Sequence, residues 1–307
     1  MRLVFAGTPE VALPSLEALT ASRHEVVGVL TRPPAPAGRG RAPRPSAVHM
    51  RADELGLPVF TSSSLRAAEA LAPLADLAPD CCPVVAYGAL LPPAALALPA
   101  HGWINLHFSL LPRWRGAAPV QHAIRAGDTE TGSTTFRIDE GLDTGPILLQ
   151  EATHIGDRET SGELLQRMAT SGAAMLVATL DAIEDGTLSG RSQATDGATL
   201  APRIEVEDAR IDWLQPAAHI DRLIRASTPA PGAWTMLKDS RVRLAPVEVT
   251  DTTDLAPGEI RAGKSEVLVG TGSTAVRLGE VIAQGKRAMS AADWARGMRL
   301  EPGEAFA

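Results

Sequence analysis

In the stretch Gly102–Gly116 (GWINLHFSLLPRWRG), Asn105 and His107 stand two residues apart. If this stretch is a strand, both side chains leave the same face. The break at Pro112 sets the pair near the strand's C-terminal end, where open α/β sheets bind ligands. An amide beside an imidazole can donate hydrogen bonds to an oxygen that is gaining negative charge, which is what acyl transfer requires. The same spacing also describes a half-buried strand with two satisfied polar residues, and spacing alone leaves both readings open. Asp143 lies in Asp139–Pro146 (DEGLDTGP), framed by two glycines and a proline in a tight loop between two strand-like segments. A carboxylate held there can hydrogen-bond a histidine and raise its pKa, or simply serve an ordinary Asp-containing turn. Nothing in the order of residues says that Asp143 meets His107.

The elements that must position these groups alternate. Arg2–Ala6, Val26–Leu30, Pro58–Phe60, Pro83–Ala86, Trp103–His107, Gly132–Ile138 and Ile147–Ile155 read as strands. Val11–Leu19, Leu65–Leu77, Pro119–Ala126 and a long Ser161–Glu184 stretch ending at Gly186 read as helices. Strands alternating with helices predict a mostly parallel α/β sheet of Rossmann-like form with helices on both faces. The first turn reads Gly7-Thr8-Pro9 and lacks the glycines of GxGxxG, which argues against NAD. Thr31–Ser46 holds five prolines and two glycines and is expected to form no regular element. Gly186–Glu207 reads as a linker. Beyond a helix at Gln215–Ala226, short alternating segments at Ala233–Leu237, Val242–Val249, Glu266–Val269 and Ala275–Ile282 suggest a small, OB-like β-barrel.

Composition narrows the classes further. The 307 residues are 45% hydrophobic and 21% charged, enough for a core and against disorder. No apolar run approaches the ~18 residues of a membrane span. The N-terminus enters a strand without signal-peptide features, so the expected location is the cytosol. Cys81 and Cys82 are adjacent and suit packing, and the remaining histidines (His24, His49, His101, His122, His154, His219) show no ligand spacing, so no metal is expected. Net charge is −7, yet Thr31–Ala52 carries five arginines and no acid. Arg39 stands between two glycines, where the backbone can approach a partner closely. Arginines on such a loop suit phosphate and single-stranded RNA ends, and equally a solvated Pro/Arg linker.

Taken together, FAGTP, AGRG in the long loop, VVAYG at Val84–Gly88, NLHFSLLPRWRGAAP at Asn105–Pro119, GLDTG at Gly141–Gly145, ARIDW at Ala209–Trp213 and KRAMSA at Lys286–Ala291 resemble the methionyl-tRNA formyltransferase family, in the folate-dependent formyltransferase superfamily. The resemblance covers nearly the whole chain. It implies a catalytic domain at 1–188 with its Arg/Pro loop at 31–46, a linker at 189–207, and a C-terminal β-barrel domain at 208–307 that binds tRNA. By the same resemblance, Asn105, His107 and Asp143 match the catalytic trio, and Ser109, Leu110, Leu111 and Pro112 the folate-binding segment. Tyr87 falls in the pterin pocket, and Arg39, with Arg41 and Arg44, on the loop that contacts the tRNA acceptor end. Arg203, Arg241 and Arg243 are further candidates for tRNA contact. Phe108 stands where relatives often have glycine, His49 replaces a lysine that commonly ends the long-loop motif, and Arg203 lies near a position often occupied by lysine.

The implied reaction moves the formyl group of 10-formyltetrahydrofolate to the α-amine of methionyl initiator tRNA, with no metal, no membrane and a monomeric protein. Asn105 and a protonated His107 are then expected to hold the oxyanion, with Asp143 supporting the imidazolium. The alternative is a formyltransferase or 10-formyltetrahydrofolate hydrolase that acts without tRNA. The trio does not separate these; the arginine loop and the C-terminal half do. A catalytically silent RNA-binding protein on the same fold is the rival from another class.

Overall fold

The computed structural model describes residues 1–37, 42–301 and 303–307. Two compact units are present, and each is discontinuous in sequence. One takes Met1–Gly116, Thr131–Thr153 and Leu165–Leu200; the other takes Ala117–Glu130, His154–Leu164 and Ala201–Ala307.

The first unit is built on a seven-stranded sheet in the order Val59–Thr61, Glu25–Thr31, Arg2–Gly7, Cys82–Val85, Trp103–His107, Glu130–Arg137, Ile147–His154. The first five strands are parallel, and Glu130–Arg137 runs antiparallel to Trp103–His107. The chain winds outward from Arg2–Gly7 in one direction, then restarts beside it with Cys82–Val85. A mostly parallel sheet with helices is what the alternation of apolar runs predicts. Arg2–Gly7 and Cys82–Val85 are buried almost end to end, as strands covered on both faces must be. The two thiols are buried in this sheet, and burial pushes Cys81 up to about 12, so they are inert packing residues.

The long helix spans Ser161–Glu184. Its start is a capping box: the Thr160 N–H and hydroxyl donate to Glu163 Oε2 (2.9 and 2.7 Å), and the Glu163 N–H donates to Thr160 Oγ1 (3.3 Å). These bonds hold the Glu163 carboxyl below its usual range.

The Pro/Arg segment corrects the expectation of no regular element. Ala35–Ala37 and Ala42–Arg44 form a two-stranded antiparallel ribbon in which Pro36 sits opposite Pro43. A two-stranded ribbon tolerates this because each strand has an outer edge where a missing N–H costs no ladder bond. Ser46 then caps the helix Ala47–Glu54 by accepting from the His49 N–H. The helix expected at Leu65–Leu77 begins only at Ala68, although Pro73 stays inside it.

In the second unit, Trp234–Leu237, Ser240–Leu244, Glu280–Ala283 and Met289–Ser290 form one antiparallel sheet, and Glu248–Val249, Val276–Arg277, Val267–Val269 and Ile260–Ala262 another. The run expected at Ala275–Ile282 is thus two strands in different sheets, parted at Leu278–Gly279. Both sheets feed one core that includes Ile211, Trp213, Val242, Val267, Val281 and Phe306. The Phe306 ring stacks between Trp213 (5.5 Å) and Trp294 (5.8 Å). The helices Pro119–Ala126 and Ala217–Ala226 pack on each other in this unit.

Candidate active site

Asn105 and His107 lie on the Trp103–His107 strand and face the same side, His107 being its last residue. Asn105 is half-buried and sits opposite Phe136, whose ring meets the His107 imidazole edge to face at 6.3 Å. The His107 side chain is only 6% exposed. Its Nε2 lies 2.8 Å from the carbonyl oxygen of Trp114. A carbonyl only accepts, so Nε2 carries the proton and Nδ1 is left as the second proton site. Nδ1 faces Asp143, 3.7 Å from Oδ2.

Two turns bring these groups together. After the strand, Ser109 Oγ donates to the Arg113 carbonyl (2.6 Å), and Trp114 takes a left-handed backbone (φ 61°) that turns its own carbonyl toward His107. On the other side, Asp143 is also left-handed (φ 52°), a conformation aspartate tolerates better than most residues. Of the two glycines that frame it, Gly145 is required by space, since a Cβ there would overlap the Arg137 carbonyl oxygen, whereas one on Gly141 would meet the movable Thr144 side chain. Thr144 Oγ1 and the Gly141 N–H both donate to Asp139 Oδ1, at 2.7 and 3.0 Å. So held, Asp143 Oδ2 accepts the Gly116 N–H at 2.7 Å while facing the imidazole.

Burial pushes the His107 pKa below its ordinary value; the Asp143 charge and the Trp114 carbonyl act in the opposite direction and do not overcome it. The ring therefore favours its neutral form, with Nδ1 open to a proton. Burial thus works against the protonated His107 expected from sequence, while the Asp143 carboxylate works for it.

The structure sets Asn105 and His107 on one strand face with Asp143 against the imidazole, and the remaining candidates are placed as follows. Tyr87 is buried in the core of the first unit, with its hydroxyl donating to the Ser62 carbonyl at 3.2 Å. Ser109 is fully buried and spends its hydroxyl on the turn. Leu111 packs on Phe136 and Ile147, while Leu110 and Pro112 are half-buried. Phe108 is buried as well. Arg39 and Arg41 lie outside the described residues, and Arg44 is exposed on the ribbon. In the second unit Arg203 is 81% exposed beside Glu205, and Arg243 is exposed. Arg241 stacks its guanidinium 3.7 Å above the Trp234 ring, with Arg210 at 5.6 Å from the same ring.

Sequence reading passed over two groups. His24 meets Asp181 and Glu184 closely enough for the three to hold a cation, but Arg23 already pairs with both carboxylates, at 2.5 and 3.1 Å. Gln193, in a stretch that reads as linker, donates to the carbonyls of Asp143 and Gly145, both at 2.8 Å. A polar side chain in a polar stretch carries no signal that would have marked it.

An amide and a neutral imidazole backed by a carboxylate, at the carboxyl edge of a parallel sheet, suit stabilisation of an oxyanion together with proton transfer. Residues 1–180 match the family described as Formyl transferase, and residues 203–299 match the Formyl transferase C-terminal domain. The chain belongs to the formyltransferase family and is an enzyme of that class. Within the family, it is 58% identical over 306 residues to the methionyl-tRNA formyltransferase of Nocardioides sp., covering 99% of this chain and 97% of the relative. It is also 58% identical to that of Streptomyces avermitilis, with 99% of each chain covered. The solved structure of the methionyl-tRNA formyltransferase from Clostridium thermocellum shares the fold, with a TM-score of 0.57 at 15% identity over 82% of this chain and 94% of that one.

Proposed function

We propose that this enzyme transfers the formyl group of 10-formyltetrahydrofolate to the α-amine of methionine esterified to initiator tRNA. The observation that carries this reading is the 58% identity that runs through both parts of the chain to methionyl-tRNA formyltransferases. The site geometry supports the chemistry. The free amine has a pKa of ~7.7–8.0 before esterification lowers it, so the nucleophile is already partly neutral and needs less base assistance to attack. As it bonds to the formyl carbon, the carbonyl electron pair moves to oxygen, and the Asn105 amide donates to that oxyanion. The attacking nitrogen gives up a proton to His107 Nδ1, and the resulting imidazolium is paired with Asp143. Collapse restores the carbonyl and breaks the bond to the folate nitrogen, which takes the proton back from His107. No residue of the trio is consumed.

The folate is assigned to the carboxyl edge of the first unit around the Ser109–Pro112 turn, and the tRNA to the Arg/Pro segment 31–46 and the second unit. Because phosphate contacts release counterions, the KM for tRNA should rise with salt while the KM for folate stays level. No helix among the described residues is long and apolar enough to cross a membrane. The test mixes the protein with 10-formyltetrahydrofolate and charged initiator tRNA, charged elongator tRNA, glycinamide ribonucleotide or no acceptor. Formyl-methionine recovered only from the initiator tube is the expected result. Folate turnover confined to another tube would refute the acceptor and retain the trio.

A further inference from the structure

We propose that the irregular segment 191–200 is part of the catalytic apparatus, with Gln193 positioning Asp143 and Thr199 positioning His107 through Trp114. The inference rests on the assignment of the trio made above. It starts from where the polar groups of this segment go. Both donors of the Gln193 amide are spent on backbone carbonyls, those of Asp143 and Gly145 at 2.8 Å each. Its oxygen accepts a fork from Arg115, with Nε at 3.1 Å and Nη2 at 2.6 Å. The half-buried amide therefore ties the Asp143 turn to the turn that follows the His107 strand, two segments far apart in sequence. The left-handed backbone of Asp143 gives it little of the neighbouring support that a strand or helix provides, so an external clamp on its carbonyl fixes where the carboxylate points.

Further along, Thr199 brackets the other arm. Its Oγ1 accepts the Trp114 N–H at 2.9 Å, its carbonyl accepts the Arg115 N–H at 2.9 Å, and its N–H reaches the Pro112 carbonyl at 3.4 Å. Trp114 is the residue whose carbonyl holds Nε2–H of His107. At the segment's start, Arg191 exchanges two backbone hydrogen bonds with Ile147, both 2.8 Å, just past the Asp143 turn. The segment has neither helix nor strand because its hydrogen-bonding groups serve two other loops. One side of it sets the acid partner of the imidazole, and the other side sets the tautomer.

Gln193→Leu removes both donors and the acceptor. Gln193→Glu keeps the Arg115 fork but turns a carboxylate oxygen toward two carbonyls. Both variants should lower kcat by ~10²-fold, the scale of a misplaced catalytic group, with the KM for folate and for tRNA held within about twofold. The acid limb of the pH profile should move to lower pH, because a displaced Asp143 no longer supports the imidazolium. Thr199→Val should act in the same direction, and Thr199→Ser, which keeps the hydroxyl, should restore the rate. Ser189→Ala, at an exposed position ahead of the segment, is the control and should change nothing. Titration of the His107 ring by nitrogen NMR gives a readout independent of the acceptor. Wild type should show a protonated Nε2, and Gln193→Leu a lower titration midpoint. If the initiator tRNA proves not to be the acceptor, this ring titration still decides the positioning role. An unchanged ring titration and rate in Gln193→Leu would overturn the proposal. So would a loss of thermal stability with full activity per folded molecule.

Discussion

Gly145→Ala tests whether the Asp143 turn is set by space. A Cβ at this position would lie 3.0 Å from the carbonyl carbon of Arg137, overlap its oxygen outright and stand 3.3 Å from the Asp139 nitrogen. These are backbone atoms of the adjoining strand and turn, so the crowding is not relieved by a rotamer change. The Asp143 turn has to move on the order of 1 Å, which is the scale of misplacement that costs ~10²-fold in rate. The carboxylate already stands 3.7 Å from the imidazole and is held by one N–H of Gly116. Overpacking of this kind costs about 1–3 kcal/mol, which lowers Tm by roughly 2–10 °C. Gly141→Ala is the matched comparison, since its Cβ would meet the Thr144 side chain, which can rotate away at the cost of its bond to Asp139. That loss is about 1 kcal/mol, and the rate should fall by less than ~10-fold, well short of the ~10²-fold expected of a displaced carboxylate. Formyl transfer to charged initiator tRNA measures kcat, and a thermal melt measures stability. Equal activity in Gly145→Ala and Gly141→Ala would refute the argument that backbone crowding around Asp143 governs turnover.

Three further outcomes follow from the site and the second core. Asn105→Ala should lose ~10²–10³ in kcat with folate binding retained, as expected for one oxyanion donor, and near-wild-type turnover would remove Asn105 from that role. Because burial lowers the His107 pKa, the acid limb of kcat/KM should lie below the ordinary histidine value. Asp143→Asn should push it lower still, since the carboxylate is what raises it. The same sign governs folding: the unfolded chain binds the proton first as pH falls through the ordinary histidine range, so stability drops there. A limb that moves up in Asp143→Asn would contradict the assignment. Phe306→Ala removes the ring between Trp213 and Trp294 and should cost ~3–5 kcal/mol. A calorimetric melt should show this in the second unit, and an unchanged melt would mean the stack contributes little.

Much of the fold was legible because burial and period leave marks in sequence. Trp103–His107, Pro119–Ala126 and Ser161–Glu184 appear with the limits their apolar patterns predict. The ribbon of Ala35–Ala37 and Ala42–Arg44 was not legible, since proline-rich composition argues against strands and only two short strands that pair along one edge each, leaving the other edge free, make them possible. The break at Leu278–Gly279 was also hidden, because alternation continues across it while the two halves pair in different sheets. What sequence could not show is where the hydroxyls of the folate candidates go: Ser109 and Tyr87 direct theirs to backbone carbonyls.

By itself, the sequence determined the catalytic trio's residue types and the strand that bears two of the three. Asn105 and His107 share a face because alternate residues of any strand do, and the glycines around Asp143 announce a tight turn. Tertiary structure alone decided that Asp143 comes to His107 across 36 residues of chain, that burial lowers the pKa of the ring, and that Gln193 and Thr199 serve the two turns. The physical reason is that a residue's type fixes which bonds it can make. Its burial, its pKa and its partner depend on loops whose paths are set by contacts far away along the chain.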